Sequence, residues 1–256
     1  MRLLKILGLC LLLNISGCSK DDDFSDIENG INKSPNLKST GASANGFLSA
    51  SKYTSLVIEV LYVENFRPES QTLLNLKQFA ESRLNKPNGI SIIERQISVS
   101  AATTRTLQNL ADIEKTNRTK YNNTGVLTLY ILFIDGNYTS DTSSQFTLGA
   151  AYRNTSIVMF ENSIRSLSNS VTEPARVDLE TTTITHELCH LLGLVKLGSP
   201  MQTPHEDTAH EKHCINPNCL MYWKAENNSV SQMMTSGNVP QLDADCLADL
   251  FANGGK

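Results

Sequence analysis

Residues 181–195 read TTTITHELCHLLGLV, and this stretch decides how the rest of the chain is read. On a helix advancing about 100° per residue, His186 and His190 stand about 40° apart and one turn displaced, so both imidazoles can reach one metal ion. Glu187 sits beside the pair. A carboxylate there can take a proton from a metal-activated water as it attacks a carbonyl and pass it to the leaving amine. Ile184, Leu188, Leu191, Leu192 and Val195 fall on the opposite side, an apolar stripe that aims the histidine face at a cleft. All five histidines of the 256-residue chain lie between His186 and His213. The plain alternative is an amphipathic helix with surface histidines.

Upstream, Tyr53 to Val63 (YTSLVIEVLYV) is dense in β-branched and aromatic residues and reads as a strand. Residues 70–84 carry a helical stripe of Leu73, Leu74, Leu76, Phe79, Ala80 and Leu84, stopped by Lys86-Pro87-Asn88-Gly89. Residues 90–99 alternate as a strand, and 104–121 read as a polar-faced helix. Residues 126–134 form a nearly continuous apolar run suited to the centre of a sheet. A hairpin is expected from 146–152 and 156–160, the metal helix over 178–195, an irregular stretch, then a last helix over 242–251. This order predicts an α+β fold: a twisted mixed sheet backed by helices, an active-site helix, and an irregular C-terminal subdomain ending in a helix.

The N-terminus has the plan of an export signal. Arg2 and Lys5 precede an apolar run to Leu13, and Ile15-Ser16-Gly17-Cys18 resembles the lipobox of bacterial lipoproteins. That resemblance implies a signal over residues 1–17, acylation of Cys18, a membrane lipid anchor, and an outer-membrane or cell-surface location with the folded domain outside the cytoplasm. The apolar run is too short to serve as a spanning helix. Ser19-Lys20-Asp21-Asp22-Asp23 resembles the acidic tract of surface lipoproteins of Bacteroidetes. Residues 18–46, rich in Asp, Asn, Ser and Gly, read as a flexible tether. Losing Arg2 and Lys5 would shift the net charge from −4 to −6, and no basic patch argues for nucleic acid. Residues 47–256 are long enough for one domain with its own core, divided at about residue 195 into upper and lower parts, and a monomer is expected.

Four cysteines fall in that domain: Cys189, Cys214, Cys219 and Cys246. The turn-forming Ile-Asn-Pro-Asn between Cys214 and Cys219 makes a local disulfide the first expectation in an exported chain. Cys189, on the flank of the metal face, reads as a packed thiol.

Catalytic zinc usually has three protein ligands. His186-Glu187-Leu188-Cys189-His190 with Gly193 resembles the metzincin clan of metallopeptidases, in which a third histidine follows three residues after the glycine. That position here is Lys196. Further on, His213-Cys214, a four-residue gap, Cys219, Leu220 and Met221 are similar to the archaemetzincin segment that carries the third histidine. The resemblance covers about residues 179–221. It implies that His213 is the third ligand, displaced by an insertion over residues 196–212, and that Met221 is the methionine of the clan's Met-turn. His205, Asp207 and His210 stand as alternative third ligands. The further archaemetzincin cysteines are missing apart from Cys246, which argues against a second, structural zinc and leaves Cys214, Cys219 and Cys246 as a remnant at most. Clan membership also implies that the strand Leu148, Gly149, Ala150, Ala151 and Tyr152 pairs with an extended peptide substrate. Tyr222 is a candidate oxyanion donor, and Trp223 a packing residue.

The sequence thus predicts a zinc-dependent endopeptidase with one catalytic zinc and protein or peptide substrates. Two other readings stand beside it. One is a surface-binding lipoprotein with a structural or degenerate zinc site, for which Lys196 argues. The other is a zinc amidase acting on cell wall.

Overall fold

The computed structural model describes residues 27–28, 30–234 and 238–256. The expected signal, Cys18 and the acidic tract lie outside them. Among the described residues no helix is long and apolar enough to cross a membrane.

The chain begins with a small antiparallel ribbon, β1 (Ile27–Glu28) and β2 (Ile31–Asn32), and a short helix α1 (Ala44–Leu48). Next come β3 (Tyr53–Val63), α2 (Ser70–Arg83), β4 (Ile90–Ile97), β5 (Thr104–Arg105), α3 (Leu107–Asn117), β6 (Gly125–Ile134) and β7 (Asn137–Tyr138). Then follow β8 (Gly149–Arg153), β9 (Ser156–Phe160), α4 (Glu161–Ser166), the long α5 (Arg176–Leu191) and, after an irregular stretch, α6 (Ala244–Ala252). The main sheet has the order β4-β3-β6-β9-β8. Its first four strands are parallel, and β8 closes one edge antiparallel to β9.

The apolar run read as a central strand is β6, and its period of two sorts it onto two cores. Leu127, Leu129, Ile131 and Phe133 enter the larger core with Leu73 and Leu76 of α2 and Leu179, Ile184 and Leu188 of α5. Tyr130, Leu132 and Ile134 point the other way, onto Leu110 of α3. Helices therefore cover both faces, as parallel strands require. Helix α5 is more deeply set than an amphipathic stripe implies, since every residue from Leu179 to Leu191 is buried. The histidine face is inside the molecule as well as the leucine face.

Helix α5 stops because Gly193 takes a φ of 86°. A Cβ there would lie 2.4 Å from the Ser199 nitrogen and 2.8 Å from the Ala44 Cβ. Around this turn residues 196–212 form a closed excursion. The Leu197 and Ser199 amides donate to the Gly193 carbonyl at 3.0 and 3.1 Å, and the Ser199 hydroxyl donates to the Leu192 carbonyl at 2.6 Å. The loop is tied to α6 where the Gln202 amide meets Asp249 and the Thr203 hydroxyl meets Asp245, both at 2.7 Å. It returns to its origin, with the Val195 amide 3.5 Å from the Lys212 carbonyl and Lys196 paired with Glu206.

The tether expectation is corrected over residues 34–46. Asn36 is fully buried, and its amide donates to Asn122 Oδ1 at 3.0 Å, Thr128 Oγ1 at 3.3 Å and Thr155 Oγ1 at 3.0 Å. Composition misled because Asn36 is not solvated: it completes a hydrogen-bond network inside the fold. The expected helix over 104–121 is also shorter, since its first residues pair as β5 with β7.

Replacing Asn36 with Ala strands buried partners and is expected to cost about 1–3 kcal/mol. Urea unfolding reads this as an earlier midpoint, whereas a mere tether would leave the midpoint in place. Gly193→Ala should cost about 1–3 kcal/mol from strain and collision. Gly89→Ala, at a φ of 91° but with open space around its Cβ, should cost less in the same assay.

Candidate metal centre

His186 and His190 project from α5 as their spacing requires, and the excursion over residues 196–212 delivers His213 beside them. The ring centroids are 4.7 Å apart for His186 and His190, 5.3 Å for His186 and His213, and 5.2 Å for His190 and His213. Each Nδ1 faces a backbone carbonyl: Leu220 at 2.7 Å from His186, Leu194 at 3.2 Å from His190, and Glu211 at 3.0 Å from His213. A carbonyl can only accept, so each Nδ1 carries the proton and the neutral ring's lone pair is on Nε2. Nε2 of His186 and of His213 are buried without a hydrogen-bond partner. Three imidazoles, each oriented by a carbonyl at Nδ1, are a group that could hold a metal ion.

Glu226 joins them from a turn of 3-10 helix, Trp223–Glu226. One ligand atom from each of His186, His190, His213 and Glu226 lies within 4.8 Å of the others. Burial, and then the charge of His190, hold the His186 ring at a pKa of about 3, and burial holds His190 at about 4. Both are neutral and fit to bind a cation. Burial also pulls at His213, but the carboxylate of Glu226 beside it outweighs this and raises its pKa. Glu226 is driven down to about 2, its burial outweighed by the three neighbouring rings.

Glu187 stands apart from this group. Its Oε2 accepts the Ala151 amide of β8 at 2.7 Å, while Oε1 is buried without a partner. The helix comes this close to the strand because residue 149 is glycine: a Cβ there would be 2.7 Å from Thr183 Cγ2 and 3.3 Å from Glu187 Cγ. Burial and the neighbouring Glu226 raise the Glu187 pKa well above the usual carboxylate range. A cation held by the histidines would act in the opposite direction. A cleft of about 250 Å³ opens onto these groups, lined by Thr40, Ala150, Ala151, Glu187, His190, Leu197, Lys212, His213 and Glu226.

The alternative third ligands go elsewhere. His205 is buried with Nε2 at 2.8 Å from Asp249, and His210 stacks on Trp223 at 4.2 Å while pairing with Asp207 at 2.8 Å. Tyr222 does not line the cleft, and its ring lies 5.8 Å from that of Trp223. Met221 is fully buried in the core shared with α5, and the Leu220 carbonyl just before it holds His186.

The edge at β8 is partly occupied by the chain itself. The Ala151 carbonyl accepts the Thr40 hydroxyl at 3.0 Å, the Leu148 amide donates to the Glu226 carbonyl at 2.8 Å, and Asn154 exchanges bonds with Lys38. Leu148 lies just before the strand, Gly149, Ala150, Ala151 and Tyr152 within it.

The expected Cys214–Cys219 disulfide is corrected, for all four described cysteines are free thiols. Cys214 Sγ lies 3.3 Å from Asp243 Oδ2 and Cys219 Sγ 3.6 Å from Cys246 Sγ, whereas a disulfide requires about 2.05 Å. Cys214, Cys219, Asp243 and Cys246 form a second group with mutual ligand distances within 4.8 Å. Hydrogen bonds from Cys214 and Cys246 hold the Cys219 thiol down at about 4. Cys189 is packed and buried, as read.

Sequence reasoning missed Glu226 and Asp243. Glu226 is the first acidic residue after Met221, a signal too common to single it out, and Asp243 reads as an ordinary helix cap, which it also is.

No family model and no curated protein matches the chain. Among solved structures it is similar to archaemetzincin from Methanopyrus kandleri, with a TM-score of 0.52 and 15% identity over 78% of this chain and 96% of that one. It also matches metalloproteinase-II from Bacteroides fragilis at 15% identity, over 90% of this chain and 60% of that one, with a TM-score of 0.43 that carries no argument. At such identities the likeness establishes the fold alone: a mostly parallel twisted sheet backed by helices, in the zincin arrangement of archaemetzincin.

Proposed function

We propose that this chain is a zinc-dependent endopeptidase, with His186, His190 and His213 as metal ligands and Glu187 as the proton carrier. The observation that carries this reading is the trio of imidazoles, each bound through Nδ1 to a carbonyl and with ligand atoms within 4.8 Å of one another, beside a buried carboxylate. Zinc in that position would supply a Lewis acid for a peptide carbonyl and lower the pKa of water. The chain does the rest. The Ala151 amide holds one oxygen of Glu187, so the other is fixed in direction and free to take a proton from the nucleophile. Its buried setting favours the protonated form that must then deliver that proton to the leaving amine. Ala150 and Ala151 of β8 line the cleft, where an extended peptide would meet the strand.

The thiol group is read as a second, structural metal position, in place of the disulfide and against the earlier expectation of no second zinc. Three sulfurs and a carboxylate at mutual ligand distance, one sulfur already acidic, suit zinc. The export signal, the acylated Cys18, the surface location and the monomeric state remain part of the proposal on sequence grounds. A binding protein with a purely structural histidine site has no use for Glu187, which disfavours that rival.

Purified protein should cleave a denatured protein substrate or a peptide library, and Glu187→Ala should slow cleavage by about 10²–10⁴-fold while keeping its metal. His213→Ala should lose both metal and cleavage. If wild type binds metal but cleaves no peptide, the peptidase reading fails and the amidase or binding readings gain. Metal analysis should find two ions per chain. Cys219→Ser should remove one of them and lower Tm by roughly 10 °C while the histidine site stays loaded.

A further inference from the structure

A catalytic zinc keeps a coordination position open, whereas a site filled by four protein groups is closed. Glu226 bears on that distinction, because its carboxylate lies within 4.8 Å of a ligand atom of each of the three histidines. Its Oε1 lies 3.5 Å from His213 Nε2 and its Oε2 3.8 Å from His186 Nε2, so it straddles two of the donor nitrogens. Both of those nitrogens are buried and otherwise without a partner.

The backbone beneath Glu226 is pinned. Its carbonyl accepts the Leu148 amide at 2.8 Å, and the Ala225 carbonyl before it lies 3.4 Å from the Thr183 hydroxyl of α5. The carboxylate is therefore aimed from fixed ground, on a turn that packs against the metal helix and against the start of β8. Its side chain nonetheless keeps 33% of its exposure and lines the cleft, while Glu187, also lining it, is only 1% exposed. Glu187 is held by Ala151, whereas Glu226 meets the open cleft. Charge points the same way. Three neutral imidazoles leave a divalent cation uncompensated in a buried setting, and a carboxylate at ligand distance offsets half of its charge.

We infer that Glu226 is a fourth protein ligand, closing the metal site at rest and giving way when an anion or a substrate carbonyl enters. The inference rests on the reading that His186, His190 and His213 hold the metal. Glu226 then sets a threshold for substrate: only a ligand that competes with an anchored carboxylate opens the site. Its backbone bond to Leu148 places this gate against the strand that would receive the peptide, so binding there and opening of the site are neighbours in space.

Cobalt in place of zinc tests this without an activity assay. The visible spectrum of the histidine site is the part that His213→Ala removes, which separates it from any cobalt at the thiols. Glu226→Gln should change that spectrum, release the metal to a chelator about tenfold more readily, and bind azide at about tenfold lower concentration than wild type, because no carboxylate competes for the position. Glu226→Asp, which retains the charge on a shorter arm, should lie between the two. An unchanged spectrum, metal retention and azide affinity in Glu226→Gln would overturn the inference while leaving the three-histidine site standing. Failure of wild type to take up any cobalt that His213→Ala removes would overturn both.

Discussion

The hydrogen bond from His186 Nδ1 to the Leu220 carbonyl, 2.7 Å long and buried, holds one ring of the candidate metal centre in place. It fixes the tautomer of His186 and thereby the direction of its Nε2 lone pair. It also ties α5, set in the core of the sheet domain, to a segment that has no regular structure of its own. That segment has to be held still by other means. The Cys214 amide reaches the Met221 carbonyl at 2.8 Å, and the Leu220 amide reaches the Gln241 carbonyl at 2.9 Å. The thiol group of Cys214, Cys219 and Cys246 braces the same few residues from the side of α6. The second metal position in our proposal is thus a support for the first: what stiffens the thiol cluster keeps the Leu220 carbonyl in place, and with it the ring of His186.

Lys196 occupies the sequence position where a third histidine would complete the motif, yet His213 stands beside His186 and His190. The excursion over residues 196–212 leaves and rejoins the fold with its ends in contact, at Val195 and Lys212. Closing such a loop costs only an entropy that grows slowly with its length. Inserting one where both ends meet therefore leaves the surrounding geometry intact, and His213 takes up the place beside His190. The loop is not a loose appendage, since it carries buried His205 onto Asp249 and Ser199 onto the end of α5. Lys196 itself is turned outward to Glu206, with its side chain 59% exposed.

Much of the architecture was legible in sequence because it depends on local periodicity. β3 runs over the residues that its branched and aromatic composition marks, and β6 is central as its apolar run requires. The paired histidines of α5 need nothing beyond helical spacing. Other features depend on residues far apart in the chain, and no local pattern encodes them. The hairpin begins later than its apolar residues suggest because Thr147 and the Leu148 amide turn to Asn227 and Glu226, leaving only the Leu148 carbonyl bonded to the Phe160 amide of β9. Asn36 looks like linker until Asn122, Thr128 and Thr155 are brought to it. Cys246 and Asp243 join Cys214 and Cys219 only through the packing of α6. The disulfide expectation gives way for a related reason: the Cys214 and Cys219 sulfurs are near each other, but α6 brings Asp243 and Cys246 to the same point, and the free thiols gather as one group.

The central claim is that His213, carried across the excursion, completes a metal site with His186 and His190. Anomalous diffraction at the zinc edge from crystals of the zinc-loaded protein tests it most directly. The account predicts a peak about 2.0–2.1 Å from Nε2 of each of the three histidines. A peak held by His186 and His190 with His205, Asp207 or His210 in place of His213, or no peak at that position, would contradict it.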